Sequence, residues 1–84
     1  MFTLYILRSL KNHLYIGVTK NLQQRIKRHK SGNGAEFTKR NKVFELVYKE
    51  EFPTLLEVRR RESQIKKWRR EKKENIIKYG KPIV

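Results

Sequence analysis

Tyr5, Tyr15, Arg25, His29 and Glu62 are the side chains whose types and spacings could do chemistry together. Glu62 stands four positions after Val58 and three before Ile65, on the stripe that helical periodicity would bury. A carboxylate there loses its water, so it must be paired or must bind a metal ion. The simplest outcome is a salt bridge to a nearby arginine. Arg25 comes three residues after Leu22 and four before His29, at the inner border of an earlier helix. A guanidinium in that place can clamp a phosphate through two parallel hydrogen bonds, or it can pair with Glu62 or extend along the surface. Two tyrosines on one sheet face more often pack with their hydroxyls at the rim. His29 would also suit a helix C-terminus, stabilised by the dipole. Each residue alone has an ordinary structural explanation.

The elements that must position them follow from pattern. Residues 2–9 are rich in aromatic and branched side chains and predict a strand. Leu10-Lys11-Asn12 is a turn, and His13 to Val18 forms a second strand pairing as an antiparallel hairpin. Period 2 then puts Tyr5, Tyr15 and Gly17 on one face, with Tyr5 opposite Gly17 and diagonal to Tyr15. Thr19 or Asn21 caps a helix over Leu22–Lys30, whose stripe is Leu22, Ile26 and His29. Ser31-Gly32-Asn33-Gly34 ends that helix, and Ala35–Asn41 forms a loop. Val43–Phe52 is a third strand. Thr54-Leu55-Leu56-Glu57 is a capping-box signature opening a long helix with Leu55, Val58, Ile65 and Trp68 inside. A short last helix covers Asn75–Tyr79, ended by Gly80 and Pro82. The fold class is α/β in the α+β sense, a small three-stranded antiparallel or mixed sheet flanked by helices.

The chain has 84 residues, enough for a single domain spanning 1–84 with one modest core. Against 22 Lys and Arg stand 8 acidic residues, leaving a net charge of +14 that favours a polyanion, nucleic acid first. Between Arg59 and Lys73, nine of fifteen residues are basic. Such a run is ordinarily a solvated helix face, but with this net charge it suits a phosphate backbone. No lipid-seeking helix gathers the basic residues, so a membrane is not the expected partner. No stretch approaches the ~20 apolar residues needed to cross a bilayer, and residues 2–7 are too short for a signal-peptide core. With no cysteine, a reducing cytoplasm fits, and nucleic acid binding would place the protein at the nucleoid. All 8 acidic residues are Glu, scattered among bases, and the only histidines are His13 and His29. Nucleases that hold two metals usually do so with clustered carboxylates, so one metal held by very few protein ligands is expected here.

Taken as an ordered set, these residues resemble the GIY-YIG nuclease family. Tyr5-Ile6-Leu7 followed by Tyr15-Ile16-Gly17 is similar to its paired tripeptide signature. Arg25 follows ten residues after Tyr15, in an Arg-x-x-x-His arrangement with His29. Glu62 opens Glu-Ser-Gln-Ile-Lys-Lys-Trp, similar to the metal-binding segment of the small standalone bacterial members (the UPF0213-like group of URI domains). Thr38-Lys39-Arg40 and Gly32-Asn33-Gly34 also match them, so the resemblance covers nearly the whole chain. In the first tripeptide only the tyrosine is kept. Val18 stands where the repair-associated incision nucleases carry lysine, and the family's late asparagine has only Asn75 as a counterpart.

The resemblance implies a metal-dependent endonuclease that hydrolyses phosphodiester bonds. Glu62 would be the sole protein ligand of one Mg²⁺ or Mn²⁺, which tolerates that arrangement because it keeps much of its hydration shell. Arg25 would hold the phosphate, Tyr5 would orient or deprotonate the attacking water with Tyr15 in support, and His29 would carry a proton or touch phosphate. Gly17 would let substrate approach the tyrosines. Arg28, Thr38, Lys39, Arg40, Lys66, Arg69 and Lys73 would contact nucleic acid, and Phe37 and Trp68 could stack bases. DNA is expected over RNA, cut with low sequence specificity or with a preference for single-stranded or branched forms; DNA repair is one setting that fits. Both a monomer and a homodimer are compatible with the sequence. The competing readings are a basic nucleic-acid-binding protein on the same fold without cleavage, and a basic structural or ribosome-associated protein.

Overall fold

Burial on both faces explains the first strand. In β1 (Phe2–Ser9), Thr3 through Leu7 are all buried, which is why its sequence is nearly continuous in apolar residues rather than alternating. It is the central strand of an antiparallel sheet ordered β2-β1-β3, with β2 at Leu14–Thr19 and β3 at Phe44–Phe52. The computed structural model describes residues 1–30 and 44–80. The expected turn 31–34, the loop 35–41 and Pro82 lie outside them.

The hairpin has the expected register, pairing Tyr5 with Gly17 and Leu7 with Tyr15. Its three-residue turn is Leu10-Lys11-Asn12 as expected, closed by Ser9 N–H donating to the His13 carbonyl at 3.0 Å, and Asn12 adopts a left-handed φ of 66° that asparagine tolerates. Asn12 N–H donates to the Ser9 carbonyl at 2.9 Å, and His13 N–H donates to Ser9 Oγ at 3.1 Å. On the other side of β1 the register slips: Ile6 faces Tyr48 but Leu7 faces Leu46. The extra residue on β3 is a bulge, which bends that strand.

Helix α1 occupies Leu22–Lys30 as expected. Asn21 caps it, its side-chain oxygen accepting from Gln24 N–H at 3.1 Å, while Thr19 Oγ1 accepts from Asn21 N–H at 3.1 Å. Helix α2 covers Leu55–Lys66, and its cap Thr54 accepts from Glu57 N–H at 3.2 Å. The helix that follows, α3, covers Arg70–Tyr79, five residues earlier than apolar periodicity suggested. Arg69 is extended at φ −65°, ψ 157° and breaks the two helices apart; the first turns of α3 are charged and carry no apolar stripe to read. Gly80 ends α3 at φ 75°.

Leu4, Ile6 and Ile16 of the sheet pack against Val58 and Ile65 of α2 and Ile76 of α3. Each such side chain contributes about 1.5–3 kcal/mol by leaving water. Leu55, expected inside, is 48% exposed because it lies in the first turn of α2, a full turn before Val58 meets the sheet. Trp68 packs at the margin of this core, and Arg61 and Lys72 sit over its ring at 5.2 and 4.5 Å. With both cations over the ring, Trp68 is a poor platform for stacking a base. Tyr5 and Leu7 bury on the opposite face, where α1 lies.

Candidate active site

On that second face three rings converge. Tyr5 is fully buried, and its hydroxyl lies 3.0 Å from Nε2 of His29, itself 2% exposed. Tyr15 is 6.2 Å from Tyr5 and 5.5 Å from His29, centroid to centroid, the latter contact edge-on. Phe44 of β3 closes the far side of His29 at 6.0 Å. His29 reaches this place because it is seven residues, two helical turns, beyond Leu22 on the inner side of α1.

Gly17 has a stricter role than sequence spacing implied. A Cβ built there would stand 2.5 Å from Tyr5 Cζ and hydroxyl and 3.0 Å from Tyr15 Cε2. The gap that was expected to admit substrate is filled by the end of the Tyr5 ring. The missing side chain seats the phenol and fixes its position opposite His29.

Electrostatics at the ring cluster favour neutral forms. Burial, followed by the neighbouring Tyr15, pushes the Tyr5 phenol well above its ordinary pKa, with Arg25 opposing and Glu62 adding to the rise. Burial also lowers His29, helped by the charges of Arg25 and Arg28. A neutral imidazole has one acceptor nitrogen, and the tautomer with its hydrogen on Nδ1 makes Nε2 the acceptor of the Tyr5 proton. Arg25 and Arg28 also line a polar cavity of about 230 Å³ with Thr19, Asn21 and Gln24 at the start of α1. A phosphate-sized anion fits the chemistry of that lining.

Glu62 bears on Tyr5 through its charge. Its carboxylate is 13% exposed, and Arg59 and Lys66 of the same helix hold its two oxygens, each at 3.1 Å. The half-buried acid is thus paired, as its place on the stripe required. Among the described residues no three His, Cys, Asp or Glu side chains converge on one point. With Glu62 as its protein ligand, a divalent ion would have to be a hard one that retains water.

The profile of the GIY-YIG catalytic domain matches residues 1–75. The chain belongs to the GIY-YIG family. It is 39% identical over 77 residues to a UPF0213 protein of Staphylococcus saprophyticus, an alignment covering 92% of this chain and 94% of that relative. A UPF0213 protein of Bacillus pumilus is 40% identical over 73 residues, covering 87% and 74%. The solution NMR structure of a UPF0213 protein from Bacillus halodurans superposes with a TM-score of 0.61 at 37% identity, over 93% of this chain and 84% of that one. GIY-YIG membership makes this a nuclease-family domain, and nucleic acid is the substrate class of that family.

Within the GIY-YIG frame, Tyr5, Tyr15 and His29 touch, and Arg25 and Glu62 act on Tyr5 as charges. Among residues expected to contact nucleic acid, Arg28 lines the cavity beside Arg25, and Lys66 is engaged with Glu62. Arg69 is exposed at the cap of α3, and Lys73 is half-buried one turn on. Thr38, Lys39, Arg40 and the candidate stacker Phe37 lie outside the described residues. Sequence reasoning passed over Phe44 and Arg59. The i−3 spacing of Arg59 from Glu62 was the available signal for the second; nothing local marked Phe44 as a neighbour of His29.

Proposed function

We propose that this GIY-YIG domain is an endonuclease that hydrolyses DNA phosphodiester bonds with one Mg²⁺ or Mn²⁺ ion and low sequence specificity, in the cytoplasm at the nucleoid. The observation that carries the reading is the buried hydrogen bond between Tyr5 and His29 beside two arginines. A neutral phenol is a weak standing base, but one that passes its own proton on need not ionise first. Water would give a proton to the Tyr5 oxygen as the Tyr5 hydroxyl proton moves to His29 Nε2. The water oxygen bonds to phosphorus, the scissile P–O bond breaks, and the departing oxygen is protonated from solvent. Arg25 holds the phosphate and offsets the charge that develops on it. Held by Glu62, the divalent ion would supply a Lewis acid for that same charge.

Labelled single-stranded DNA, duplex DNA and RNA, incubated with Mg²⁺, Mn²⁺ or EDTA, test this reading. Metal-dependent cutting of DNA is expected, abolished by Glu62→Ala while salt-sensitive binding persists. Binding without cutting under every metal condition would instead establish the inactive nucleic-acid-binding alternative. Loss of cutting and binding together in Glu62→Ala would assign that carboxylate a structural role.

A further inference from the structure

Two features of α2 meet at one residue. On the exposed side of the helix an open groove of about 620 Å³ is lined by Arg59, Arg60 and Lys67, with Leu56 and Trp68 beside them. None of the described residues lining it is acidic. Arg59 also donates from Nη1 to Glu62 Oε1 at 3.1 Å, and the two partners differ greatly in freedom: Arg59 is 60% exposed and Glu62 13%. The carboxylate is held in place, whereas the guanidinium can swing.

We propose that this groove takes the backbone of a nucleic-acid strand and that Arg59 is shared between a strand phosphate and Glu62, so that strand binding and divalent-metal binding reinforce each other. The inference rests on Glu62 being the metal ligand. Three cations without a lining carboxylate complement a phosphate chain, and Leu56, 61% exposed, offers an apolar contact for its sugars. Without a strand, Arg59 and Lys66 neutralise Glu62 and repel a second cation from its oxygens. A phosphate in the groove offers the guanidinium a bidentate partner, where Glu62 takes a single hydrogen bond from it. Arg59 then turns outward and Oε1 becomes available. Coupling of this kind is reciprocal, so the ion must tighten strand binding by the same factor.

The test measures Mn²⁺ binding to the full chain by electron paramagnetic resonance at constant ionic strength, with and without a single-stranded phosphorothioate oligonucleotide. The oligonucleotide should tighten Mn²⁺ binding to the wild type about ten-fold, within the usual range of coupling between sites. Arg59→Gln should bind Mn²⁺ about three-fold tighter than wild type when no strand is present, as loss of one partly exposed ion pair allows. Its gain from the oligonucleotide should shrink. Arg60→Gln should weaken strand binding and leave strand-free Mn²⁺ affinity as it was, separating groove from coupling. Unchanged strand-free affinity in Arg59→Gln, or undiminished coupling in it, overturns the shared role. Glu62→Gln binding Mn²⁺ as well as wild type would instead defeat the metal-ligand assignment beneath it.

Discussion

The hydroxyl of Tyr5 and Nε2 of His29 lie 3.0 Å apart, joining two buried side chains 24 positions distant in sequence. Burial acts on the two in opposite numerical directions and for one reason, since it penalises whichever form is charged. The phenol holds its proton more tightly and the imidazole accepts one less readily. Both shifts favour the neutral forms near neutral pH, in which the pair can move one proton in step with a reaction.

That coupling sets the pH dependence. His29 must be neutral to accept, and its pKa lies below the ordinary 6.5. Cleavage should therefore hold its neutral-pH rate to below pH 6.5 before an acid limb appears. Stability has the same sign. The unfolded chain binds the proton more readily, so the contribution of neutral His29 is complete above 6.5 and is lost as pH falls from there through the lower folded pKa. His29→Gln should lower single-turnover cleavage by about 10²-fold and remove the acid limb, the expected size for losing a positioned proton acceptor. A limb that survives the substitution would place the titrating group elsewhere.

Gly17 supplies a second prediction, because its contact with Tyr5 is steric. A methyl group at position 17 meets Tyr5 Cζ and hydroxyl at 2.5 Å, and the buried ring has no slack. Gly17→Ala should destabilise the fold by about 1–3 kcal/mol, the usual cost of overpacking. It should also displace the phenol and abolish cutting. Tyr5→Leu ends its side chain short of the colliding atoms. In that background the same Gly17→Ala change should cost much less, a non-additivity that urea denaturation of the double-mutant cycle measures directly. Additive costs would mean that the glycine is needed for its backbone.

The hairpin register, and with it the shared face of Tyr5 and Tyr15, was legible because period 2 and a short turn leave few alternatives. Helix α1 was legible in full, since Asn21 and the stripe ending at His29 state its bounds. The start of α3 was not, because its first turns face solvent and carry charges whose only order is tertiary. Leu55 misled because a helix stripe says nothing about how far the sheet beneath it extends. The paired state of Glu62 could be anticipated from burial. Its partners Arg59 and Lys66 stand at helical i−3 and i+4 spacing and were legible too; that Arg25 does not join them depends on where α1 and α2 lie in space, which spacing along the chain does not encode.

Far from the rings, Glu74 on α3 ties that helix to the hairpin, and acid should loosen the tie. Arg8 of β1 forms a two-pronged pair with its carboxylate, and Arg70 adds a bond of 2.8 Å. Arg70 also donates to the Asn12 carbonyl at 2.6 Å, joining α3 to the left-handed turn residue. The hydrogen bonds from Arg8, then those from Arg70, hold the Glu74 carboxyl down to about 2 from its ordinary 4.5. A depressed carboxylate adds stability that is complete above its unfolded pKa and disappears as pH falls through its folded one. Here the window runs from about 4.5 down to about 2. Side-chain exposures of 23% for Arg8 and 34% for Glu74 admit solvent screening, so Glu74→Gln should cost only about 1 kcal/mol at neutral pH. Urea unfolding of wild type and variant across this window should show the two curves converging toward pH 2. A constant gap at every pH would mean that Glu74 stabilises the junction by shape and not by charge.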